Sequence, residues 1–150
     1  MKLTNGLFIT FEGIDGSGKS TQSQLLFDAL KSSGESVIQT REPGGSIGAE
    51  IIRSLLVSGD TDRWSAETEI LLFTAARRDH LEKTIQPALD KNQIVICDRY
   101  VDSTRVYQGV ARADLRKTVD ELHSIIIKKE PDITFIIDTD PEKSLTRGLA

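Results

Sequence analysis

The residues Gly13-Ile14-Asp15-Gly16-Ser17-Gly18-Lys19-Ser20 set glycines, a lysine and a hydroxyl at the spacing G-x-x-x-x-G-K-[ST]. Glycines so placed let consecutive backbone N–H groups curl around an anion, and a helix that begins at the lysine adds positive partial charge. Lys19 then suits the β- and γ-phosphates of a nucleoside triphosphate, the Ser20 hydroxyl suits Mg²⁺, and Thr21 follows in the first helical turn.

Farther along, Asp98-Arg99-Tyr100 directly follows the apolar run Ile94-Val95-Ile96-Cys97. A carboxylate at the carboxyl end of a strand suits a Mg²⁺ shell, and a guanidinium suits bidentate contact with phosphate. A strand-end ion pair of little worth is the plainer alternative. Phe73 and Arg77 stand four apart on an expected helix and share a face. Such a pair can stack a planar base and bond its edge, although a core phenylalanine beside a solvated arginine explains the same spacing. Ser103 and Tyr107 are again four apart, with Thr104 and Gln108 beside them on the same helical rows, which makes a polar wall for a sugar and a base.

These groups need a scaffold in which strands and helices alternate. Leu7–Phe11, a short segment headed by Val37-Ile38, Ile94–Cys97 and Ile133–Ile137 read as strands. Helical spacing of apolar residues runs from Ser20 to Ser33, from Ile47 to near Gly59, and through Ile70, Leu71, Phe73 and Leu81. Further helices are expected from about Asp102 and from Asp114 to about Lys129. Ser65 caps the third of these helices, Pro87 kinks or breaks it, and Asp140-Pro141 opens a last one. Strands joined by helical crossovers imply a parallel sheet covered on both faces, which binds ligands at the carboxyl ends of its strands.

Composition narrows the function. Lys plus Arg is 19 against 23 Asp plus Glu in 150 residues, a net charge of −4, so the basic field that non-specific nucleic-acid binding needs is missing. One cysteine, Cys97, excludes an internal disulfide and reads as a small core residue. There is no apolar run near the roughly 20 residues of a membrane span and no signal-peptide pattern at Met1, so a cytoplasmic protein with a small-molecule ligand is expected. The N-K-x-D segment of guanine-specific switches and the LSGGQ signature of transporter ATPases are both absent. His80 and His123 lie on charged helical stretches and are expected to face solvent, and Trp64 to pack as a staple ahead of Ser65.

The segments FEGIDGSGKST, REPGG, LLFTAARRDH, DRYVDSTRVYQG and DTDPEKSLTR, in that order, resemble those of thymidylate kinases. The resemblance implies an α/β chain with the P-loop nucleoside-monophosphate-kinase fold: a parallel sheet with helices on both faces, one kinase domain over residues 1–150, and a lid and fifth strand beyond Ala150. It implies transfer of the γ-phosphoryl group of ATP to dTMP with Mg²⁺, and a homodimer. By position, Phe73 matches the residue that stacks on thymine, Arg77 the one that bonds its carbonyl edge, and Arg99 the arginine on the dTMP phosphate. Asp15 matches the acid near the sugar 3′-hydroxyl and the metal, and Asp98 an acid that positions Mg²⁺. Ser103, Thr104, Tyr107 and Gln108 match the wall around base and deoxyribose, and Arg41 and Arg53 match basic positions around the acceptor phosphate. The phosphate loop carries no arginine, and the resemblance to the bacterial members of the family implies charge for the transferred group from a lid that begins around Arg147. A non-catalytic nucleotide-binding regulator, or a kinase for another nucleoside monophosphate, are the alternatives.

Overall fold

The structure, a computed structural model, describes residues 5–110 and 114–148. The chain groups into two compact units: Met1–Thr40 with Ala88–Arg99 and Pro131–Ala150, and Arg41–Pro87 with Tyr100–Glu130.

The first unit holds the sheet, built from β1 (Leu7–Glu12), β2 (Val37–Arg41, ending at the unit boundary), β3 (Ile94–Asp98) and β4 (Ile133–Ile136) in the order β2-β3-β1-β4. β1 runs parallel to both neighbours, with Leu7 opposite Ile94 and Ile9 opposite Ile133. β1 and β3 are buried on both faces, as the inner strands of a parallel sheet must be. Ile9, Phe11, Ile94 and Ile96 form the core cluster, against which Leu26, Phe27 and Leu30 of α1 (Lys19–Ser32) pack. Cys97 is fully buried, as its apolar run predicts. α1 ends where expected, at Gly34 with its φ of 85°. The last helix here is α7 (Pro141–Gly148), with Asp140 as its N-cap: the Asp140 carboxylate accepts a hydrogen bond from the Glu142 N–H at 2.9 Å.

The second unit is helical. α2 (Ile47–Val57) and α3 (Ala66–His80) are joined by a loop whose Trp64 indole donates to the Leu55 carbonyl at 3.2 Å. The staple expected of Trp64 is corrected by this bond, because the position it would pair with, four residues into the helix, is Glu69 rather than an apolar residue. Ser65 does cap α3, accepting from the Thr68 N–H at 3.1 Å. The cap of α2 comes from another helix: Asp79 Oδ2 accepts from the Ser46 hydroxyl at 2.6 Å and from the Ala49 N–H at 3.1 Å. Gly48 permits this approach, since a Cβ there would lie 2.7 Å from the same oxygen.

α3 does not break at Pro87. It widens into a π-type turn over Leu81–Ile85 and continues as α4 (Gln86–Asp90), which places Pro87 near the start of a new segment, where its missing N–H costs little. The chain resumes as α5 (Val101–Thr104), a second π-type stretch over Arg105–Val110, α6 (Arg116–Leu122) and a third over His123–Ile127. Arg105 ties these pieces together by donating to Asp102, Asp120 and Glu130 at 2.8, 2.7 and 2.8 Å.

Both histidines correct the expectation that they face solvent. His80 is fully buried, with Nδ1 3.0 Å from Glu42 Oε1. His123 is buried in a T-shaped contact with Tyr100, at 6.0 Å between centroids. Local charge patterning missed them because their partners come from distant segments. Among the described residues no helix is long and apolar enough to cross a membrane.

Candidate functional site

In the first unit the glycine-rich loop leaves the carboxyl end of β1 and runs straight into α1. Gly13 has a φ of 147°, and a Cβ on it would lie 2.6 Å from the Ile137 carbonyl, so both the turn and the close approach require glycine. Gly18 stands in the left-handed region at the N-cap of α1, and no side chain caps that helix. Its first N–H groups are therefore directed at whatever occupies the loop.

A cavity of about 360 Å³ lies on this loop, lined by Asp15, Gly16, Gly18, Lys19, Ser20, Thr21 and Arg147. That volume suits a small polar ligand. Ile14 supplies its carbonyl to Lys19 Nζ at 2.8 Å and to the Ser17 N–H at 3.2 Å, which folds the loop over the lysine. Only 6% of the Lys19 side chain is exposed. Burial, reinforced by the nearby positive charge of Arg99, pushes its ammonium below the ordinary lysine range. An ammonium so confined gains most from an anion placed beside it. The Ser17 hydroxyl is buried and bonded to none of the described residues.

At the end of β3, Asp98 Oδ2 accepts the Ser20 hydroxyl hydrogen at 2.5 Å, while Asp98 Oδ1 is buried without a hydrogen-bond partner. A buried, unsatisfied carboxylate oxygen beside a hydroxyl is a hard-oxygen donor set that fits Mg²⁺ or its water shell. Arg99 follows in a left-handed conformation, φ 69°, and its Nη2 meets the exposed Asp15 carboxylate at 2.6 Å. Such a conformation costs a non-glycine residue about 1–3 kcal/mol. Here it is held by the Arg99 N–H on the Phe11 carbonyl at 2.9 Å and by the Cys97 thiol on the Arg99 carbonyl at 3.1 Å. The first unit thus brings Asp15, Lys19, Ser20, Asp98, Arg99 and Arg147 to one end of its sheet.

In the second unit Arg77 is 3% exposed, which overturns the reading of it as a solvated charge. Its Nε donates to Glu42 Oε2 at 2.7 Å, its Nη2 to the Thr104 hydroxyl at 3.1 Å, and its guanidinium lies over the Tyr100 ring at 5.0 Å. Phe73, one turn earlier, is half-buried. Arg41 and Arg53 converge on one acceptor, the Pro43 carbonyl, at 3.0 and 2.7 Å. Arg41 also pairs with Glu50 at 3.2 Å.

The four-residue wall divides. Thr104 and Gln108 are buried, Thr104 against Arg77 and Gln108 donating to Glu69 at 3.1 Å, whereas Tyr107 is exposed and Ser103 half-buried. The division follows the four-residue rows: Thr104 and Gln108 share the buried one, Ser103 and Tyr107 the more exposed one. Sequence reasoning gave neither Glu42 nor His80 a place in the site, and expected His80 to face solvent. The available signal was Glu42 itself, an acid inside Arg41-Glu42-Pro43-Gly44-Gly45 with no helix around it to supply a partner.

Residues 11–150 match the model of the family described as thymidylate kinase. A thymidylate kinase of Ruegeria pomeroyi is 66% identical over 143 residues, 95% of this chain and 68% of the relative. One from Dinoroseobacter shibae is 66% identical over 145 residues, 97% of this chain and 70% of the relative. The crystal structure of thymidylate kinase from Ehrlichia chaffeensis superimposes with a TM-score of 0.84 at 44% identity, covering 96% of this chain and 82% of that one.

Proposed function

The chain belongs to the thymidylate kinase family, and we propose on that footing that it transfers the γ-phosphoryl group of ATP to dTMP, giving dTDP and ADP. The observation that carries the reading is the cavity on the phosphate loop, where a buried Lys19, uncapped helical N–H groups and the Ser20–Asp98 pair converge. Family membership supplies the acceptor.

Phosphoryl transfer needs alignment of the two reactants and neutralisation of charge rather than covalent chemistry by the protein. The loop N–H groups and Lys19 hold the donor phosphates. Ser20 and Asp98 are the residues that would hold Mg²⁺, which would supply neutralisation of negative charge on the donor phosphates. Arg99 anchors the dTMP phosphate, and Asp15, which now engages that guanidinium, turns to the sugar 3′-hydroxyl as the phosphate takes its place. Phe73 stacks on the base and Arg77 bonds its carbonyl edge, with Ser103, Thr104, Tyr107 and Gln108 around base and sugar, Thr104 and Gln108 acting through Arg77 and Glu69. Arg41 and Arg53 add positive charge for the acceptor phosphate. Arg147 supplies the charge that the loop's own Ile14, Asp15, Gly16 and Ser17 lack. No strong general base is required, because the attacking phosphate oxygen is already ionised.

The enzyme acts in this reading as a cytoplasmic homodimer. Supporting the dimer, Ile47, Ile51 and Leu55 form an exposed apolar stripe along α2, with Leu71 exposed on α3. Introducing a charge with Ile51→Glu lowers the mass measured by light scattering if that stripe is the contact. An ATP-coupled assay with dTMP, UMP, AMP and GMP tests the activity: dTMP is turned over fastest, and equal or absent turnover of dTMP refutes the proposal.

A further inference from the structure

Arg77 is not merely buried; it is moulded on three sides. Glu42 takes the hydrogen of Nε, Thr104 that of Nη2, and the Tyr100 ring supports one face. Nη1 is bonded to none of the described residues. Glu42 is itself fixed, since its other oxygen lies 3.0 Å from His80 Nδ1, one turn beyond Arg77 on α3. Glu42, Arg77 and His80 are 4%, 3% and 0% exposed. An arginine side chain has many rotamers, and a buried carboxylate shared between two residues one helical turn apart selects one of them.

We propose that Glu42, braced by His80, is a positioning residue that sets the direction of the one uncommitted edge of Arg77 and thereby the discrimination between a carbonyl and an amine at position 4 of the pyrimidine. The inference rests on the reading of Arg77 as the base-edge donor. An N–H held in one direction bonds a carbonyl oxygen there and meets an exocyclic amine donor to donor, leaving a buried polar group unpaired. An N–H that can swing away loses both the attraction and the penalty. Discrimination falls while stacking, phosphate contacts and the chemical step stay intact.

The test uses dTMP and 5-methyl-dCMP, which share the ring methyl, sugar and phosphate and differ at position 4 and in the protonation of N3. The readout is the ratio of their kcat/KM values with wild type, Arg77→Gln, Glu42→Gln and the double variant, with melting temperatures alongside. Glu42→Gln should lower the ratio on the order of 10-fold, through KM for dTMP, with kcat for dTMP and KM for ATP unchanged. In the Arg77→Gln background it should lower the ratio no further. Thr104→Val, which removes the other hydrogen bond and leaves no charge unpaired, should lower the ratio several-fold and serves if Glu42→Gln does not fold. If Arg77→Gln collapses the ratio while Glu42→Gln and Thr104→Val change only melting temperature, the positioning role is overturned and the base-edge reading stands. If Arg77→Gln leaves the ratio unchanged, that reading fails and the positioning role falls with it.

Discussion

Asp79, in the last turn of α3, closes the first turn of α2: its Oδ2 takes the Ser46 hydroxyl hydrogen at 2.6 Å and the Ala49 N–H at 3.1 Å. Those bonds, the Ser46 hydroxyl foremost, hold its carboxyl below the usual aspartate range despite partial desolvation. The stabilisation is therefore complete above the unfolded-state aspartate pKa and is lost as pH falls through the lower folded-state value. Asp79→Ala should cost about 1 kcal/mol at neutral pH, the worth of a helix cap. The deficit relative to wild type should shrink on acidification below about pH 4. Urea unfolding of both proteins across that range checks it.

Ser20 and Asp98 make a second prediction. Removing the hydroxyl with Ser20→Ala, or one carboxylate charge with Asp98→Asn, should raise the Mg²⁺ concentration for half-maximal rate about 10-fold or more, the scale on which altered ligand surroundings change metal affinity. The dTMP KM at saturating Mg²⁺ should stay near wild type. An Mg²⁺ titration of turnover measures both.

Lys19 carries a pH signature. On the proposed function its ammonium is the working form, and burial moves the loss of that charge to lower pH than for an ordinary lysine. The alkaline limb of kcat/KM for ATP should fall correspondingly early, and Lys19→Arg, whose guanidinium stays charged, should flatten it. Lys19→Ala should lower kcat about 10²–10³-fold, the effect of removing one charge-stabilising donor. Initial rates from neutral to alkaline pH decide the matter.

Arg147 lines the loop cavity from α7. If Arg147 supplies transition-state charge as proposed, Arg147→Ala should reduce kcat by about 10²-fold while KM for dTMP changes little. Steady-state kinetics with each substrate varied separates the two parameters.

How much of this was legible beforehand depends on range in sequence. The phosphate loop is readable because all its parts are contiguous and its flanks are an apolar run at Leu7–Glu12 and helically spaced apolar residues in Lys19–Ser32. The four strands and the Asp140 cap were readable for the same reason. Glu42 with Arg77, and Asp79 with Ser46, lie 35 and 33 residues apart, and no local pattern announces such partners. The four-residue spacing of Ser103 to Gln108 is legible, but which row turns inward is not, because the partners of the buried row, Arg77 for Thr104 and Glu69 for Gln108, come from a distant helix.

Arg99 adopts a backbone geometry that glycine would enter without steric strain. The shape of the chain and the chemistry of the side chain thus pull that position toward different residues. A laboratory campaign that rewards heat resistance alone should drift to Arg99→Gly, gain a few degrees, and hand back a sturdier protein that, on the proposed function, has lost its grip on the acceptor phosphate.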